Sequence, residues 1–223
     1  MPITQRKQTE QTPVSQKAKP LATRATKSRA KESPAQSTAP IGRDALLDAA
    51  VHQFAKAGYD GTTMRDIATV SGMLAGSIYY YFKSKEELFI AVHEFAMEHI
   101  CRRVRESVDP NADPWTRLTQ AAEGYLDTML NEYDYASIII TEFPRKRPDE
   151  LHQQLIEHRH RFESMFAAIV AELPLRKGVD RTYFRLAILG MLAWSYTWYR
   201  PTGRDSPKVI AKKMVNLLKE SAA

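Results

Sequence analysis

The side chains best suited to specific chemistry lie between Thr63 and Lys85. An arginine such as Arg65 can grip guanine with two bonds at once, and hydroxyls and a lysine ammonium suit phosphate oxygens. Their spacing is that of two short helices across a tight turn. Thr63 is placed to cap the first, with Asp66 three residues on to return the bond. Ile67 and Ala68 give that helix a small apolar face. Gly72 sits where the chain must turn sharply, and glycine takes positive φ without penalty. Ser77, Tyr79, Tyr80 and Tyr81 crowd the second helix, and Ser84-Lys85-Glu86-Glu87 reads as a full capping box that starts a third. Two short helices across a glycine turn make a helix-turn-helix, whose second helix enters the DNA major groove. The same geometry occurs in proteins that never touch DNA, and a tyrosine cluster also reads as core.

Other chemistries are missing from the pattern. No glycine-rich phosphate loop and no Gly-x-Ser-x-Gly elbow occurs. His152, His158 and His160 share a helical stretch, but offsets of six and eight carry His152 away from the other two, so no metal site is expected. Glu142 and Glu163 have no partner visible in sequence, and neither an enzymatic activity nor a cofactor is expected. The single cysteine, Cys101, excludes a disulfide framework and reads as packing rather than as a redox sensor.

These residues are held by an all-α chain of 223 residues. Residues 1–42 contain no aromatic side chain and carry eight cationic residues against two acidic ones, so this arm holds the whole net charge of +6. Its composition predicts a disordered basic arm, read either as a sliding contact with DNA phosphates or as a solvated tail. From Arg43 to Ala57, Leu46, Leu47, Ala50, Val51 and Phe54 form a helical stripe that ends at Gly58. Residues 43–88 are therefore expected to be a three-helix DNA-binding domain, and 89–223 a larger helical domain. Further helices are expected from about Ser84 to Glu106, after Asp113-Pro114 to about Asn131, over Tyr135–Phe143 as a short buried helix, over Pro148–Leu173, from Asp180 to about Tyr199, and after Ser206-Pro207 to about Glu220. No run is apolar enough to cross a membrane and no secretory signal is seen, so a cytoplasmic location is expected.

The 26 residues from Thr63 to Leu88 resemble the DNA-binding signature of TetR-family repressors: T-x-x-x-I-A, then G, then G-[ST]-[LI]-Y-x-[HY]-F, then [SN]-K-E-x-L. Many members carry Ser or Thr to cap the recognition helix where this chain has Leu74. A smaller subgroup, the steroid-catabolism repressors, carries a pattern like L-x-G-S-L-Y-H-H-F, and Leu74-Ala75-Gly76-Ser77-Ile78-Tyr79-Tyr80-Tyr81-Phe82 is similar to it. The resemblance implies a transcriptional repressor that binds double-stranded operator DNA as a homodimer. It implies base-edge positions for Arg65, Ala75, Gly76, Ser77 and Tyr81, and phosphate contacts for Thr63, Tyr79, Tyr80 and Lys85.

The larger domain carries no signature as sharp. Large apolar groups on facing stripes nominate Tyr125, Met129, Phe143, Phe166 and Trp194 as an effector pocket. Trp198-Tyr199-Arg200-Pro201-x-Gly203 resembles the tail of repressors that answer to acyl-CoA-type thioesters, which implies a CoA thioester as effector. Arg145, Lys146 and Arg147 read either as contacts to its phosphates or as a solvated basic loop. The resemblance also implies dimerisation through the last two long helices, where Gly190 and Ala193 would allow close contact. The alternative is a helical small-molecule-binding module without DNA-binding activity.

Overall fold

The computed structural model describes residues 42–140 and 149–222. The basic arm up to residue 41, Phe143 and the Arg145–Arg147 run lie outside the described residues. Helices make up the fold: α1 (Arg43–Gly61), α2 (Met64–Ser71), α3 (Ala75–Tyr81), α4 (Lys85–Ser107), α5 (Pro114–Asn131), α6 (Tyr133–Ile140), α7 (Asp149–Glu172), α8 (Arg181–Trp198) and α9 (Pro207–Ala222). Among the described residues none is long and apolar enough to cross a membrane.

Local chemistry sets the boundaries. Gly58 takes φ 72°, which breaks α1 before its last turn. Thr63 and Asp66 form the reciprocal capping box of α2, and Gly72 closes that helix at φ 68°, ψ 17°. Asp113 accepts from the N–H groups of Trp115 and Thr116 with Pro114 at the first position of α5, and Asp180 accepts from Thr182 and Tyr183. The box expected at Ser84 forms only in half. Ser84 accepts from the Glu87 N–H, but the Glu87 carboxylate reaches one residue further back, to the Lys83 N–H at 2.7 Å. The Tyr135–Phe143 stretch is helical, as α6, but begins two residues earlier, with Ala136 and Ile138 buried and Ile140 open.

Among the described residues two apolar cores form. The first gathers Leu46, Leu47, Val51 and Phe54 of α1, Ile67 and Ala68 of α2, Ile78 and Phe82 around α3, and Leu88, Phe89, Val92 and Ala96 of α4. The second joins Met97, Ile100, Cys101 and Val104 of α4 to apolar faces of α5, α7, α8 and α9. One continuous helix, α4, therefore supplies both cores, with the change at Ala96–Met97. The short α6 is the second bridge: Ile138 packs in the first core and Ala136 in the second. Its polar side is tied to α1, with Tyr135 Oη donating to Asp48 and Asp134 meeting His52 Nδ1, both at 2.5 Å.

Candidate nucleic-acid interface and internal cavity

The alternation of buried and open positions decides what α2 and α3 present. Ile67, Ala68 and Ile78 point into the first core, so the opposite faces must point out. Thr63, Arg65, Gly76, Ser77, Tyr79, Tyr80 and Tyr81 are all exposed on those faces, and Ala75 is half-buried. Tyr80 is 87% exposed, and Tyr80 and Tyr81 meet edge to face at 5.5 Å. None of the three tyrosines packs as core. Phe54 instead stacks on Tyr59 and meets Phe89 edge-on, while the Arg43 guanidinium lies over the buried Phe82 ring.

Two of the nominated contacts have internal work. The Thr63 hydroxyl donates to Asp66 Oδ2 at 2.7 Å and accepts from the Asp66 N–H at 3.2 Å; the hydroxyl bond, with the Thr63 N–H donating to the same Oδ2 at 2.9 Å, holds the Asp66 carboxyl below its usual range. The Lys85 ammonium does not stand free for a phosphate. It donates to the Tyr59 and Thr62 carbonyls at 2.8 and 2.9 Å and lies over the Tyr59 ring. It closes the open carbonyls where α1 ends, the favoured place for a cation. Arg65 differs: its guanidinium has no ion-pair partner among the described residues, although Asp66 is its neighbour in sequence.

The second core borders a partly open cavity of about 290 Å³ between α4, α5, α6, α7 and α8. Tyr125 and Met129 line it, as the stripe of α5 indicated. Phe166 stands behind the wall, edge-on to Tyr125 and 5.3 Å from the lining Phe162. Trp194 is not among the described residues that line this cavity. It is 67% exposed, because Leu189 and Ala193, one helical turn apart on α8, take the cavity side and the next residue swings about 100° away. Sequence reading also missed Met97, Ile100, Ile139 and Ile140 in the wall; an apolar residue at helical spacing looks the same whether it faces packed core or a void. Burial pushes the Tyr125 phenol up to about 12, so it stays a neutral hydroxyl. Among the described residues Arg159 and Glu163 are the charged lining groups, and Glu163, which looked isolated in sequence, sits 3.8 Å from Arg185. A wider groove of about 410 Å³ beside Trp198, Arg200 and Lys213 is open to solvent, and Lys213 there is tied to Asp205.

On the outside of α8, Tyr183, Leu186, Trp194 and Trp198 are exposed at helical spacing with Gly190 between them. Cys101 is buried, and its thiol is shifted up by loss of solvent, as suits packing. His158 pairs not with its sequence neighbours but with His93 of α4, Nδ1 to Nδ1 at 3.1 Å. No group of three metal-binding side chains converges among the described residues.

Residues 46–92 match the model of bacterial regulatory proteins of the tetR family, and 111–221 match the tetracyclin repressor-like C-terminal domain. The HTH-type transcriptional repressor KstR2 of Mycobacterium tuberculosis is 30% identical over 171 residues, covering 72% of this chain and 82% of that protein. The chain belongs to the TetR family. It is a transcriptional regulator, not an enzyme. The solved complex of AibR with isovaleryl coenzyme A and operator DNA superposes with a TM-score of 0.65 at 25% identity, over 78% of this chain and 95% of that one. The fold is also that of the Bacillus subtilis regulator FadR solved with stearoyl-CoA, with a TM-score of 0.67 at 23% identity over 78% of this chain and 96% of that one. In this TetR-family chain the signature helices α2 and α3 turn Arg65, Ser77 and the three tyrosines to solvent.

Proposed function

We propose that this TetR-family chain is a repressor that binds a palindromic operator as a homodimer and releases or strengthens that grip when a CoA thioester enters the α4–α8 cavity. The observation that carries the DNA reading is the division of α2 and α3: Ile67 and Ile78 are fully buried while Arg65, Ser77 and the three tyrosines face out. Arg65, Ala75, Gly76, Ser77 and Tyr81 read base edges, and Tyr79 and Tyr80 hold phosphates. Thr63 and Lys85 act by positioning the helices. The functional division falls between residues 43–88 and the remainder, with α4 continuous across it, and the site of action is the cytoplasm.

A volume of 290 Å³ equals that of about ten waters, so it holds an acyl group and leaves the nucleotide end outside, where the exposed Arg159 guanidinium meets phosphate. Ile139 and Ile140 touch the cavity from α6, whose Tyr135 and Asp134 hold α1. An acyl group therefore displaces α6 and α4 together, and its differential affinity for two spacings of the recognition helices is the switch. The exposed stripe of α8, with α9 beside it, forms the dimer contact. Anisotropy titration of the chain's own upstream DNA, repeated with short-, medium- and long-chain acyl-CoAs, tests this. Sequence-selective binding that one class of acyl-CoA shifts is expected; ligand binding with no DNA binding would favour a module without regulatory DNA contact.

A further inference from the structure

Leu74 is out of place by every local rule. It occupies the N-cap of α3 at φ −71°, ψ 141°, where Ser, Thr, Asp or Asn is preferred, and its side chain makes no capping bond. Thr63, Ser84, Asp113 and Asp180 do cap their helices. Nor does Leu74 compensate by burial. It is 81% exposed, while Met73 beside it packs against the first core and Ile78 is fully buried. Val70, across the Gly72 turn, is also open to solvent. The residues that follow Leu74 are Ala75, Gly76 and Ser77, so it has the longest side chain at the leading end of α3. The nominated base-edge positions exposed on the same two helices are polar: Arg65 on α2, then Ser77 and Tyr81 on α3. Two apolar side chains in such a setting make too small a patch for a protein partner. In the major groove the one apolar group among the base edges is the C5-methyl of thymine.

We propose that Leu74 is a specificity-determining residue that packs on a thymine C5-methyl group in each operator half-site. This rests on α2 and α3 reading DNA, and the test separates the two ideas. A duplex is selected from a random-sequence pool by the full-length wild-type chain, and each thymine is then replaced singly by deoxyuridine, which keeps base pairing and removes only the methyl. At one thymine the replacement should weaken wild-type binding about fourfold per half-site, or about fifteenfold with both half-sites changed, the worth of one buried methyl-sized group. Leu74→Ala should bind the thymine and deoxyuridine duplexes equally, and Leu74→Met should keep the preference. Leu74→Ser, which restores a capping hydroxyl, should also lose the preference, so a poorly folded alanine variant leaves the test intact. Indifference of the wild type to every replacement, or a preference that survives in both the alanine and serine variants, overturns the proposal while leaving DNA binding standing. Failure of the pool to yield any selected duplex overturns both.

Discussion

Lys85 offers the sharpest separation between a structural and a DNA-contacting role. The substitution is Lys85→Met, which keeps the stem and removes the ammonium. Two charge-assisted bonds, to the Tyr59 and Thr62 carbonyls, are lost. Such bonds contribute ~1.5–3 kcal/mol each when well shielded. Lys85 is half-buried, so water replaces part of each and the low end applies. The ammonium also lies 4.3 Å from the Tyr59 ring centroid, a contact worth about 0.5–1 kcal/mol. A loss of about 3.5–4 kcal/mol follows, or about 7–16 °C in the thermal midpoint for a chain of this size. Urea and thermal unfolding measure it directly. A phosphate contact would leave another trace, since the slope of log affinity against log salt falls by about 0.9 for each lost contact, or about 1.8 in a dimer. The expected result is a lower midpoint with an unchanged salt slope, measured well below the midpoint. An unchanged midpoint with a slope reduced by about 1.8 would show that the ammonium leaves α1 for DNA and that its position here is not the working one.

Other substitutions probe the remaining parts. A Cβ at Gly76 would meet nothing within 4 Å, so Gly76→Ala should leave stability equal or higher by up to about 1 kcal/mol, yet weaken operator binding about tenfold or more; full affinity would show that no DNA backbone or base comes close there. Gly190 is equally open, so Gly190→Arg should fold normally and sediment as a monomer, and a variant that stays dimeric would move the interface off this face of α8. His93 is held down to about 3 by burial, by His158 and by Arg159. The folded chain keeps it neutral while the unfolded chain takes up a proton below about pH 6.5, so its contribution is complete above that pH and is lost as pH falls toward 3. Between pH 7 and 5 this should cost about 2 kcal/mol in urea unfolding, and His93→Gln should flatten that slope; an equal slope in the variant would place the acid sensitivity elsewhere.

Much of the fold was legible because its signals are local. Thr63 with Asp66, Gly72, Asp113-Pro114 and Asp180 mark boundaries through bonds within a few residues, and the stripe of α5 put Tyr125 and Met129 on the cavity side. What was hidden depends on contacts distant in sequence. Lys85 reaches carbonyls 23 and 26 positions away, and His158 meets His93 across 65 positions. Trp194 and Ala193 are neighbours on one helix, and only the packing of α8 shows which of them turns toward the void. The Ser84 box misled for a finer reason: its residue types were right, but the Glu87 carboxylate took the Lys83 N–H instead.

The most direct measurement is the affinity of the full-length chain for a selected palindromic duplex, with hydroxyl-radical footprinting, in wild type, Arg65→Ala and Tyr79→Phe. The wild type should protect two half-sites about one helical turn or more apart. Arg65→Ala should lose about 1–3 kcal/mol per half-site, Tyr79→Phe should weaken binding more evenly across sequences, and both should unfold at the wild-type urea concentration. A wild type that binds the selected duplex no better than an unrelated one, or two folded variants that bind it unchanged, would show that α2 and α3 do not read the groove.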